Sequence, residues 1–131
     1  MSASWVTAAI EAGSNEIAIR VGAGNVLVAC GSGDGPDNAG PPTPLELLLA
    51  SLGACTAFAL KEHAASRRWS LDVVEVDLEI VRRQSSASVT RLLSLQGALD
   101  PSQREELLAI AERSPVTVLL APGVRIHTEL A

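Results

Sequence analysis

The sequence predicts an α+β fold, an antiparallel sheet around one long buried central helix in the order βββ-α-ββ-α-β. Three patterns carry that expectation. Short apolar segments near the start are separated by turn residues at hairpin spacing. A strong helix-start signal is followed by about 25 mostly apolar residues, about 37 Å of helix. Two later segments alternate with the two-residue period of paired strands.

Residues 5–10 and 16–21 read as strands joined by the turn Ala12-Gly13-Ser14-Asn15. Gly22-Ala23-Gly24-Asn25 turns the chain into a third strand over 26–30. Residues 31–42 follow, rich in Gly, Pro and Asx, the longest irregular stretch. Its glycines lack the Gly-Lys-Ser/Thr of a phosphate loop, so nucleotide binding is not expected. Thr43-Pro44-Leu45-Glu46 then combines a capping hydroxyl, a proline suited to the first helical position and a capping-box carboxylate. The helix it starts runs to about Arg68 and is apolar on nearly every face from Leu45 to Leu60, which predicts burial on all sides.

In the segment 73–81, Val74, Val76, Leu78 and Ile80 share one face, opposite Glu75, Asp77 and Glu79. A turn at 85–88 leads to its partner strand over 89–97. Asp100-Pro101-Ser102-Gln103 caps a second helix with Leu107, Leu108, Ile110 and Ala111 as its buried stripe, stopping at Ser114-Pro115. Residues 116–120 fit a short helix or a strand, and 123–130 read as a last strand.

At 131 residues the chain is expected to form one domain, residues 1–131. Hydrophobic residues make up 47% and charged residues 19%, a globular rather than disordered composition. Trp5, Phe58 and Trp69 are the only aromatics, so the core must be built from small side chains. Burying more surface in a second copy is one remedy, which favours a homo-oligomer. The net charge of −5 and the lack of clustered cations argue against nucleic acid and anionic membranes as partners. The first dozen residues lack the cationic start and apolar block of a secretory leader, and no apolar run reaches spanning length, so the expected compartment is the cytosol. Arg outnumbers Lys nine to one, a composition of high-GC bacteria.

Two cysteines in a reducing compartment are expected as thiols. Cys55, mid-helix, reads from composition alone as a small buried hydrophobe. Gly53 beside it costs about 1 kcal/mol in a helix interior, which close approach of another backbone would explain. Cys30 reads as a buried strand cysteine. His63 and His127 form no metal-binding cluster with the cysteines and read as solvated, so neither a metal nor another cofactor is expected. Glu46 is fully accounted for as the capping-box carboxylate.

The run Gly40-Pro41-Pro42-Thr43-Pro44-Leu45-Glu46-Leu47-Leu48-Leu49-Ala50-Ser51-Leu52-Gly53-Ala54-Cys55-Thr56 resembles the central-helix signature of OsmC/Ohr-like proteins. The likeness extends through Arg68-Trp69-Ser70-Leu71, Leu95-Gln96-Gly97-Ala98-Leu99-Asp100 and Ile110-Ala111-Glu112-Arg113-Ser114-Pro115-Val116, and covers about residue 16 to the end. The resemblance implies an intertwined homodimer, with the reactive cysteine in a pocket at the dimer interface. It also implies an oxidative-stress role: the peroxidatic thiolate of Cys55 reduces organic hydroperoxides, and an Arg and a Glu polarise the site.

The chain departs from that pattern in three places. Ser114 stands where the family's second, resolving cysteine lies. The Glu that directly follows Pro in the best-known branches is here Leu45, leaving Glu46 as the Pro-x-Glu equivalent. Arg20, the only arginine before the helix, is the candidate for the family's Arg. The expected activity is therefore one-cysteine reduction of organic hydroperoxides, with an external thiol or dithiol as reductant and Cys30 as a substitute resolving thiol. Leu49, Leu52 and Phe58 would form an apolar substrate pocket. The alternatives are a non-catalytic dimer that binds a small apolar ligand or senses peroxide, and a purely structural dimer.

Overall fold

The computed structural model describes residues 5–31 and 40–131, so most of the expected irregular stretch at 31–42 lies outside the described residues. The chain divides into two compact units, Met1–Leu48 and Leu49–Ala131.

In the first unit β1 (Val6–Ile10), β2 (Glu16–Val21) and β3 (Asn25–Cys30) form an antiparallel meander in that order, within one residue of the predicted bounds. Ala8 pairs with Ile19, and Ile19 with Leu27. Helix α1 (Pro44–Arg67) starts in this unit. The predicted capping box is formed: the Thr43 N–H donates to Glu46 Oε1 at 2.9 Å, and the Glu46 N–H to Thr43 Oγ1 at 3.2 Å.

In the second unit α1 buries a single stripe: Leu52, Thr56, Leu60 and Ala64, each four residues on from the last. Burial on all sides is therefore not realised within this unit. Phe58 is 62% exposed, because the two-stranded sheet and two shorter helices of this unit cover only one side of the helix. By length and mean hydropathy α1 also passes for a membrane span, contrary to expectation, since its many Ala and Leu outweigh its few charges. A core helix passes the same test, and the stripe packs as a core helix does. Leu60 and Ala64 meet Leu107 and Ala111 of α2 (Pro101–Glu112), with Trp69, Leu71, Val74, Leu93 and Leu95 around them.

The end of α1 is a Schellman motif on an arginine. Arg68 has φ +59°, its N–H reaches the Ala65 carbonyl at 3.1 Å, and the Trp69 N–H reaches Ala64 at 2.9 Å. His63 is not solvated as expected. Its Nε2 lies 2.6 Å from Glu106 Oε2 on α2, and its ring meets Trp69 edge-on at 5.5 Å. Both partners sit where α1 and α2 pack, which brings this pair together from an otherwise polar surface. His127 is exposed.

Strands β4 (Ser70–Arg82) and β5 (Ala87–Ala98) form a long antiparallel hairpin with the chain reversing at Arg83–Ser86. The predicted alternation holds, with Val74, Val76, Leu78 and Ile80 half-buried and the acids between them exposed. A bulge at Leu71/Val73 shifts the register. Opposite it, Gly97 has φ +149°, and a Cβ there would lie 2.0 Å from the Ser70 carbonyl oxygen, so only glycine fits. Gly53 faces a side chain rather than the expected backbone: its Cβ would meet Leu78 Cδ1 at 2.8 Å.

Asp100 caps α2 in a full capping box with Gln103. Residues 115–120 resolve as a helix, α3 (Pro115–Leu120). The last predicted strand is not formed: residues 123–131 carry no regular structure and are exposed. A strand exists only against a partner edge, and this segment has no pairing with either described sheet. The described order is thus βββ-α-ββ-α-α, mixed α+β with antiparallel sheets.

Candidate functional site

Cys55 is a free, half-buried thiol on α1. It neighbours Leu52 one turn back, at about 5–6 Å between Cβ atoms for such a helical pair. The next residue, Thr56, is fully buried and donates its hydroxyl to the Leu52 carbonyl at 2.7 Å.

Thr56 also accepts a hydrogen bond at 2.9 Å from Nη1 of Arg91 on β5. Nη1 donates a second bond to Thr117 Oγ1 of α3 at 2.7 Å, and Nη2 donates to the Ala111 carbonyl of α2 at 3.1 Å. One guanidinium thus ties three helices to the hairpin. Ser114 completes the cluster. It is 2% exposed, donates its hydroxyl to the Ala111 carbonyl at 3.0 Å and lies 2.8 Å from Thr117 Oγ1. Since the Ser114 proton is committed to Ala111, Thr117 donates to Ser114. The hydroxyls therefore run in one direction: Arg91 to Thr117, Thr117 to Ser114, Ser114 to the end of α2. Ser114, at the N-cap of α3, makes no side-chain capping bond to that helix. The position expected for a resolving cysteine is a buried hydroxyl committed to this network.

A cavity of about 420 Å³ opens beside Arg91. Leu52 of α1, Val89 and Leu93 of β5, Leu108 of α2 and Leu120 of α3 form its apolar walls, with Glu112 and Thr117 beside the guanidinium. Glu112 Oε1 is 3.9 Å from Arg91 Nη2.

Of the residues singled out in the sequence, Leu52 lines this cavity. Leu49 is half-buried and Phe58 exposed, both outside its lining. Arg20 is exposed on β2, where it pairs with Thr7 and Val26. The Cys30 thiol donates to the Pro41 carbonyl at 2.8 Å, its backbone N–H donates to Pro42 at 3.0 Å, and neither cysteine forms a disulfide. Glu46 is exposed, and its carboxyl is held below the ordinary value first by the Thr43 backbone N–H and then by the Thr43 side chain. Among the described residues no group of His, Cys, Asp and Glu could hold a metal ion.

Arg91 is the residue that sequence reasoning missed. Its signal was present: Val89, Arg91, Leu93 and Leu95 share one face of β5, and a lone cation there needs buried acceptors.

The family profile described as OsmC-like protein matches residues 35–129. No curated protein matches the sequence significantly. Solved structures share the fold at low identity. An OsmC-like protein from Mycoplasma pneumoniae superposes with a TM-score of 0.78 at 13% identity, over 91% of this chain and 87% of the other. The organic hydroperoxide resistance protein OhrB of Bacillus subtilis gives 0.64 at 20% identity, over 92% of each chain. An organic hydroperoxide resistance protein OsmC from Legionella pneumophila gives 0.63 at 20%, over 92% and 91%. With the matched segment spanning α1, the hairpin, α2 and the Arg91 cluster, this chain belongs to the family of OsmC-like proteins.

Proposed function

We propose that this protein reduces organic hydroperoxides in oxidative-stress defence through Cys55, without a second cysteine at the family's resolving position. The observation that carries the reading is that Cys55 is a half-buried thiol, not sealed in hydrocarbon, on α1 directly before the Arg91-bound Thr56. Two of the structural relatives are named as organic hydroperoxide resistance proteins, which agrees with this chemistry.

In the proposed cycle the Cys55 thiolate attacks one peroxide oxygen. The O–O bond breaks, the alkoxide leaves and takes a proton to become the alcohol, and Cys55 becomes a sulfenic acid. An external thiol attacks that sulfur and releases water, leaving a mixed disulfide. A second thiol then frees Cys55 as the external disulfide forms. Ser114 cannot replace the external thiol, because a hydroxyl forms no disulfide. Cys30 is the one other sulfur of its kind in the chain and is the candidate internal alternative. Arg91 acts as a positioning residue that fixes the helix around Thr56. Arg20 and Glu46 remain the candidates for the family's Arg and Glu. A cytosolic homodimer, its second copy covering Phe58 and the apolar face of α1, completes the reading.

The test is consumption of cumene hydroperoxide with dithiothreitol or dihydrolipoamide as reductant. Wild type should turn over, Cys55→Ser should not, and Cys30→Ser should retain turnover with excess external thiol. Dimedone should add one label at Cys55 after peroxide. Reduced wild-type protein that neither consumes peroxide nor takes the label overturns the reading.

A further inference from the structure

The cavity beside Arg91 contains a cation with no adequate counter-charge. Arg91 is 12% exposed, and the three hydrogen bonds it donates all go to neutral oxygens. The carboxylate of Glu112 lies 3.9 Å away, beyond hydrogen-bond length, on a side chain that is 68% exposed and so strongly screened. A largely buried guanidinium with neutral partners and one screened ion pair still favours a close anion. A guanidinium has five N–H donors, and three are used. Nε carries none of these bonds, and among the described residues no buried side-chain nitrogen or oxygen lacks a partner, so the Nε–H is not sealed in the interior. The walls of the cavity combine the aliphatic Leu52, Leu93 and Leu108 with the polar Glu112 and Thr117. Its volume of about 420 Å³ is within the range of small-molecule sites.

We infer that this cavity binds an amphiphilic monocarboxylate, the carboxylate on Arg91 in competition with Glu112 and an unbranched or lightly branched aliphatic chain against Leu52, Leu93 and Leu108. A phosphate monoester fits less well, since a dianion would face one cation with Glu112 nearby. The inference rests on the cavity alone and is independent of Cys55 chemistry, so it can fail while the peroxidase reading stands, and the reverse.

The experiment is isothermal titration of the full chain near neutral pH with octanoate and, separately, 1-octanol, which has the same chain length but no charge. Octanoate should bind once per chain and at least about tenfold more tightly than octanol, as a charge-assisted hydrogen bond allows. Glu112→Gln removes the competing carboxylate from an exposed position and should tighten octanoate severalfold while leaving octanol unchanged. Leu108, half-exposed at the rim, can be replaced without opening the core, so Leu108→Trp should fill the cavity and weaken octanoate at least about tenfold. Removing Arg91 would disturb the three helices it ties, which is why these two variants carry the test. Octanoate binding no tighter than octanol, indifferent to Leu108→Trp, or undetectable would overturn the assignment.

Discussion

Arg91 Nη1 donates to Thr56 Oγ1 at 2.9 Å, so a strand cation and the helix residue next to Cys55 share one hydrogen bond. Thr56→Val keeps the shape and removes the acceptor. A bond to a charged donor contributes about 1.5–3 kcal/mol, and the urea midpoint of Thr56→Val should fall by that amount over the unchanged slope. A midpoint equal to wild type would mean that the guanidinium finds another acceptor at no cost.

Arg68 holds a left-handed backbone at the end of α1, where glycine would do so without strain. Arg68→Gly should stabilise the fold by about 1 kcal/mol, read as a raised urea midpoint. The exposed side chain makes no described ion pair that the change would remove.

At Gly97 the opposite sign is expected. A methyl group would run into the Ser70 carbonyl across the bulge, on backbone rather than on a side chain that can turn away. Gly97→Ala should cost at least about 2–3 kcal/mol, or prevent accumulation of folded protein. Unaltered thermal unfolding would show that β4 and β5 can part at the bulge.

Glu106 gives an acid-dependent term. Its carboxyl is held below the ordinary value of 4.5, first by the hydrogen bond to His63, with Arg67 and Arg113 adding attraction. A carboxyl depressed in the folded state adds stability that is fully present above 4.5 and is lost as pH falls through the lower folded value. Glu106→Gln should therefore be less stable than wild type near neutral pH, and the gap should close on acidification below 4.5. A gap of constant size across that range would assign the effect to packing instead of charge. Glu46, depressed by its cap, contributes with the same sign.

Much of this architecture was legible from residue pattern. The bounds of β2, the start of α1 at Thr43-Pro44 and the Asp100 cap are local signals, set by turn chemistry and capping within a few residues. The exposed sides of α1 were not legible, because an apolar surface specifies burial without specifying what covers it. The strand expected at 123–130 failed for a related reason: alternation describes a strand only when an edge receives it. Arg91 was overlooked because a single cation in a strand looks solvated. Its acceptors lie 20 to 35 residues away in sequence, and only the folded chain brings them together.

The directed chain of hydroxyls through Ser114 also bears on how this protein can evolve. A lone change of Ser114 to cysteine would put a weak sulfur donor and acceptor where Thr117 and Ala111 need an oxygen. The guanidinium's neighbours would be perturbed before any second sulfur became useful. A cysteine at this position would therefore be tolerated most readily where Thr117 also changes, since the Thr117 proton would otherwise lose a good acceptor.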